Sequence, residues 1–338
     1  IFNFLVKIFF SSCQAKETLL NSLNEEDFVN AENLSKEELY REMTLEEKAW
    51  VYRSEIRWNL KQNQNSVSNF RTKRNGVSRP QKLWPNARIP YMISSQYTPH
   101  ERALLAKAVK QYHDRSCVKF VARTPADGDY LFIGKVDGCF SEVGRTSGVQ
   151  VLSLDNGCMD YSTIIHEIMH VVGFYHEHER WDRDQYIDII WPNIDKGALD
   201  QFGKMDLSKT SYYGQPYDYK SILHYDSLAF SKNGLPTMLP KKTGFATTIG
   251  NARDFSEIDL MKINKMYGCE QQQQKQNTQQ KISLIAQHSA SKSKTQILPP
   301  FSLLIASEGK KEKLIHSNFD DKIKIKATGN NRPLQGFI

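Results

Sequence analysis

The 338-residue sequence predicts an α+β fold. Three observations carry that expectation. "TPHERALLAKAVKQYHD" is a helix with Thr98 as its cap, Pro99 in its first turn and Glu101 closing a capping box. "DYLFIGKV" and "VQVLSL" have the composition of strands. "SEIDLMKINKMYGC" reads as a final helix capped by Ser256.

The remaining elements follow in chain order. "IFNFLVKIFFSSCQA" reads as a signal peptide over residues 1–15, ending in small residues and shortened at its start, where a basic region would stand. Residues 16–74 are polar and helical in pattern. Ser35 with Glu38, and Thr44 with Glu47, are capping boxes, but no apolar face large enough for a separate core follows. This segment is expected to be a propeptide ending in "RTKR", Arg71 to Arg74, with cleavage after Arg74 and a new terminus at Asn75. Residues 75–269 hold the main domain. Residues 270–338 open on "EQQQQKQNTQQK" and read as a low-complexity, disordered tail.

The formal charge of +7 suggests a polyanionic partner until it is divided by region. Residues 1–74 are neutral, residues 75–269 carry +1, and the tail carries +6. The main domain therefore has no electrostatic case for nucleic acid or a membrane surface. No stretch is long and apolar enough to span a bilayer. Of five cysteines, Cys13 falls in the leader. Cys117, Cys139, Cys158 and Cys269 form an even set in the main domain, which in an oxidising compartment reads as two disulfides with three connectivities open.

The chemistry concentrates in "HEIMHVVGFYHEHERWDRD", residues 166 to 184. The preceding residues are helical, with Ile165, Met169 and Val172 as an apolar side and Asp160 or Ser162 as cap. His166 and His170, four apart, share one helix face and suit a zinc ion, with Glu167 beside them as a base. Gly173 can adopt a conformation that ends the helix, so a sharp turn brings His176 to the same ion. Three neutral imidazoles leave a fourth position for water, the pattern of the metzincins.

The wider sequence resembles the astacin family over about Asn75 to Cys269. The carriers are Glu177, Arg180, Asp182, Arg183 and Asp184 after the third histidine, together with "LWPNARIPYMI", "GCFSEVGRTSGVQVLSLDNGC" and "PYDYKSILHYDSLAF". The resemblance implies a two-lobed, zincin-like catalytic domain: a twisted, mostly parallel sheet with the zinc helix, and a less regular C-terminal lobe. It implies the pairs Cys117–Cys269 and Cys139–Cys158. It implies Tyr225 as a residue that leaves the metal to hydrogen-bond the oxyanion, and Glu177 as partner of the mature N-terminus. Two departures stand in the same turn: Leu223 replaces the family's methionine, and Lys220 replaces a glycine, which would strain a turn needing positive φ. The F-x-G-D motif that places a propeptide aspartate on zinc in many members does not occur, and Asp27 is a poor substitute.

The expected protein is a secreted, zinc-dependent endopeptidase with one Zn2+ per chain, made as a proenzyme. Its partners are an extended polypeptide, pairing with an edge strand, and a processing protease at Arg74. The rival is a catalytically silent, astacin-like binding protein, against which Glu167, Tyr225 and the three histidines all argue. His178 is expected to point outward, His224 to pack or hydrogen-bond, and His100 and His113 to sit at the surface.

Overall fold

The computed structural model describes residues 21–65, 76–205 and 211–272. The leader over residues 1–15, the basic run Arg71 to Arg74 with Asn75, and nearly all of the tail lie outside the described residues.

The upper lobe is built on a five-stranded sheet. Strands β1 (Arg88–Ile93), β2 (Lys119–Ala122), β3 (Tyr130–Gly134), β4 (Cys139–Ser141) and β5 (Val149–Leu154) lie in the order β2-β1-β3-β5-β4. The three inner pairings are parallel, and β4 runs antiparallel to β5 on one edge. Parallel neighbours need a crossover, and the helix over Pro99–Arg115 supplies it between β1 and β2. Thr98 and Glu101 cap that helix reciprocally, as its sequence predicts.

Beneath the sheet runs the helix Tyr161–Val172, its start capped by the Asp160 carboxylate, which accepts from the Ser162 and Thr163 amides. The sequence predicts one apolar side; every residue of this helix except Ser162 is buried. Its last carbonyls are satisfied from outside: Trp84 Nε1 donates to Val171 O at 2.9 Å and the Tyr267 hydroxyl to Val172 O at 2.7 Å. Tyr267 belongs to the final helix, Glu257–Tyr267, which Ser256 and Asp259 cap.

The lower lobe is less regular. Among the described residues, its regular elements are short 3-10 turns and one two-stranded ribbon, β6 (Ile187–Ile189) with β7 (Met238–Pro240). Its core holds Ile187, Phe202, Tyr217, Tyr225, Met238 and Ile249. Disulfides join Cys117 to Cys269 and Cys139 to Cys158. Each such link stabilises by restricting the unfolded chain, typically by about 2–4 kcal/mol.

The segment before residue 76 does not stand apart from this body. Leu23, just before helix α1 (Glu25–Glu32), packs into the upper core together with Ala31, Leu39 and Val51 of α1, α2 (Lys36–Leu39) and α3 (Leu45–Asn65). The next residue, Tyr52, packs into the lower one. Neighbouring residues of α3 thus pack into two different cores, which seats this helix in the cleft between the lobes. Asp27, which closes the capping box that Asn24 opens on α1, is held by Arg102 at 2.6 Å and is not among the residues gathered at the histidines.

Candidate metal centre

Gly173 ends the Tyr161–Val172 helix with φ 133° and ψ 20°, a region that side chains rarely enter. A Cβ there would also lie 2.9 Å from Val77 Cγ2. The bend returns the chain, and His176 comes to rest beside His166 and His170. The ring centres are 4.7–5.3 Å apart.

Each imidazole is turned by its outer nitrogen. His166 Nδ1 donates to Ile222 O at 2.8 Å, and His170 Nδ1 to Phe174 O at 2.6 Å. His176 Nδ1 faces Glu179 Oε2 at 3.5 Å. These partners fix the tautomer, so the Nε2 lone pairs point inward. His170 Nε2 and His166 Nε2 stand 3.2 Å apart. Two lone pairs aimed at each other in a buried site repel unless a cation lies between them, so the donor set fits a divalent ion.

A fourth donor comes from a place the sequence did not suggest. Glu55 of α3 enters the same cluster, and the ligating atoms of Glu55, His166, His170 and His176 all lie within 4.8 Å of one another. Its Oε1 is 3.4 Å from His166 Nε2 and its Oε2 is 3.3 Å from His176 Nε2. Three imidazoles and one carboxylate would together fill the four positions that zinc usually takes. No spacing motif marks Glu55, and the only sequence signal is a carboxylate one helical turn after an apolar Val51–Tyr52 pair.

Three residues of α3 occupy the cleft together. Tyr52 packs on Tyr225 with the rings tilted and their centres 4.5 Å apart. Ser54 Oγ accepts from Cys139 N at 3.0 Å, and its one proton lies between Val51 O at 2.7 Å and Cys139 O at 3.1 Å, so the hydroxyl covers a backbone pair on edge strand β4. Glu55 faces the histidines.

Glu167 is wholly buried, and neither of its oxygens has a hydrogen-bond partner among the described residues. Burial, then the charge of Glu55, pushes its carboxyl well above the ordinary range. Glu55 moves the other way: burial opposes its charge, but His176 and His166 outweigh it and hold it well below that range. The two carboxyls of one site are thus pushed in opposite directions, and part of the upward push on Glu167 comes from the charge of Glu55 itself.

Tyr225, fully buried, packs at a tilt against His176 with ring centres 4.2 Å apart and donates to Glu55 Oε2 at 2.7 Å. Burial, and then Glu55, raises its phenol well above the ordinary value. Leu223 is buried in the upper core, and its carbonyl accepts the Glu177 amide at 3.0 Å. Lys220 is exposed and is absent from the positive-φ residues, so the strain expected of it does not arise.

Glu177 anchors a buried ionic network. Lys262 Nζ reaches its Oε2 at 2.6 Å, while Arg180 and the Asp218 amide reach its Oε1 at 3.1 and 3.0 Å. Burial works against the Glu177 charge, but Lys262 and then Arg180 overcome it and lower its pKa. The sequence-based expectation assigned this carboxylate to the mature N-terminus; Asn75 lies outside the described residues, and Lys262 already supplies an ammonium.

His178 corrects its expectation. It is fully buried rather than outward, stacked on Tyr225 at 4.3 Å and bonded through Nε2 to Gln201 O. The chain turns inward because the 3-10 turn over Glu177–Glu179 places all three residues in the core. His224 packs as expected, between the Tyr217 hydroxyl and Tyr225 O. His100 is exposed; His113 is half-buried and accepts the Phe120 amide through Nε2 at 2.9 Å.

Comparison with known proteins places this geometry. The family model for the astacin peptidases matches residues 76–268. The zinc metalloproteinase nas-7 of Caenorhabditis elegans is 70% identical over 249 residues, covering 74% of this chain and 62% of that protein. The zinc metalloproteinase nas-8 of Steinernema carpocapsae is 56% identical over 252 residues, covering 73% and 59%. The chain thus spans about 60% of the length of these relatives. Among solved structures, high choriolytic enzyme 1, a hatching-enzyme zinc protease of the medaka Oryzias latipes, aligns with TM-score 0.51 at 37% identity, covering 55% of this chain and 93% of that one.

Proposed function

The chain belongs to the astacin family of zinc metallopeptidases, and from that premise we propose that it is a secreted endopeptidase made as a latent proenzyme and released by cleavage after Arg74. The observation that carries the peptidase reading is the convergence of three inward Nε2 atoms beside the carboxyl of Glu167, which has no hydrogen-bond partner among the described residues.

His166, His170 and His176 hold the ion. When bound, zinc polarises a peptide carbonyl and brings the pKa of water toward neutrality. Glu167 accepts a proton from the attacking water and passes it to the leaving amine. Tyr225, once its hydroxyl is free of Glu55, donates to the oxyanion; losing one such donor costs about 10²–10³ in rate. An extended substrate pairs with β4, using the Cys139 amide and carbonyl that Ser54 now occupies.

Latency follows from the same contacts. Glu55 supplies the fourth donor and leaves no open position, Ser54 blocks the edge strand, and Glu55 also retains Tyr225. A helix glutamate here fills the role for which F-x-G-D would be sought, with Asp27 committed to Arg102 instead.

The test is hydrolysis of a quenched-fluorescence peptide by the full chain before and after cutting at Arg74. Activity that appears on cutting and vanishes with a zinc chelator supports the reading. Inactivity in both forms with zinc bound supports a silent binding protein.

A further inference from the structure

We propose that the pocket filled by Tyr52 is a substrate subsite for a tyrosine side chain, an inference that rests on the peptidase reading above and names what that site selects.

The pocket has an apolar part and a polar end. The Tyr52 ring lies 4.5 Å from Tyr225 and 5.8 Å from Phe230, centre to centre, and the side chain is almost wholly enclosed. Its hydroxyl donates to Asp226 Oδ2 at 3.2 Å, and the Asp226 amide approaches the same oxygen at 3.5 Å. One residue thus offers a phenol both an acceptor and a donor. That fits the inventory of a tyrosine hydroxyl.

Asp226 is held for this task by the body of the protein. Its Oδ1 accepts the Leu228 amide at 2.7 Å, which leaves Oδ2 toward the phenol. Gly250, at φ 68°, packs so closely on it that a Cβ would fall 2.2–2.4 Å from Asp226 atoms. The acceptor therefore does not depend on Tyr52 for its position.

Walls and plug come from different parts of the chain. Tyr225, Asp226 and Phe230 all lie within residues 76–268, whereas Tyr52 lies before the maturation site. Removing the pro-segment vacates the pocket and leaves Asp226 held as before, while Tyr225 loses its bond to Glu55. The pocket is also near the reacting atoms: Tyr52 stands one helical turn before Glu55, which faces the three histidines. A side chain seated there belongs to a residue within a few positions of the scissile bond. Phenylalanine would fill the apolar part and leave Oδ2 and the amide to water, so tyrosine is selected over it.

The experiment uses the full chain, folded and then cut after Arg74, against an unbiased peptide library. Tyrosine should be enriched at one fixed position near the cleaved bond. Matched peptides with Tyr, Phe or Ala at that position should rank in that order by kcat/KM, with Tyr ahead of Phe by about tenfold, the worth of a hydrogen bond to a charged group. In the Asp226→Ala variant the Tyr-to-Phe ratio should fall toward one while Phe stays ahead of Ala. Cleavage with no aromatic enrichment overturns the proposal. Binding of the same peptides to the cut Glu167→Ala protein separates this proposal from the peptidase reading. Tyrosine-selective binding without turnover by the wild type upholds the pocket and condemns the activity; equal affinities for the three peptides overturn the pocket.

Discussion

The Tyr225 hydroxyl donates to Glu55 Oε2 at 2.7 Å, joining two residues 170 positions apart in sequence. One comes from the turn below the histidines and the other from a segment outside the matched domain. A single carboxylate thus faces the histidines and holds the tyrosine expected to act beside them.

Removing that carboxylate should release both. In the uncut chain, Glu55→Ala is expected to raise basal peptide hydrolysis at least about tenfold, a barrier change of roughly 1.4 kcal/mol. Release stays incomplete, because Ser54 and Tyr52 still occupy the cleft. An uncut variant as silent as the wild type would contradict the latch.

Glu167 has no hydrogen-bonding duty in the described fold, so its loss should be chemical rather than structural. Glu167→Ala in the cut protein should lower kcat by about 10²–10⁴. Zinc content, measured by plasma emission, should remain one per chain. A loss of zinc together with activity would instead make Glu167 a structural support of the site.

Lys262 is buried and its ammonium faces the equally buried Glu177. Lys262→Met leaves that carboxylate short of a partner, and breaking such a pair costs about 3–5 kcal/mol. Urea unfolding of the full chain measures it. A midpoint equal to wild type would mean that Arg180 and the Asp218 amide suffice.

His113 carries a pH signature of the fold. Burial, then the charge of Lys119, lowers its pKa from the ordinary 6.5 to about 4. The neutral ring accepts the Phe120 amide, so the native state declines a proton that the unfolded chain takes. The stabilisation is complete above pH 6.5 and is lost as pH falls through about 4. Thermal melts across that window should show a shallower decline for His113→Gln than for wild type. Equal slopes would remove His113 from the account.

Much of the main domain was legible because its signals are local. Thr98–Glu101 and Ser256 announce their helices through capping chemistry a few residues long. The three histidines are readable because helix periodicity aligns the first two and Gly173 supplies the bend for the third. What was missed depends on contacts distant in sequence. Glu55 reaches the centre only because Val51 and Tyr52 anchor α3 in two cores built largely from residues far along the chain. His178 turns inward against Tyr225 and Gln201, neither of which its own neighbourhood reveals. Lys262 is one lysine among many until the fold sets it against Glu177.

The most direct test replaces zinc with cobalt in the full chain and records its visible absorption before and after cutting at Arg74, alongside Glu55→Ala. The expected result is a four-coordinate cobalt spectrum that shifts on cutting, with the uncut Glu55→Ala protein already resembling the cut wild type. A cobalt spectrum that neither maturation nor Glu55→Ala alters would contradict the claim that this glutamate closes the metal site.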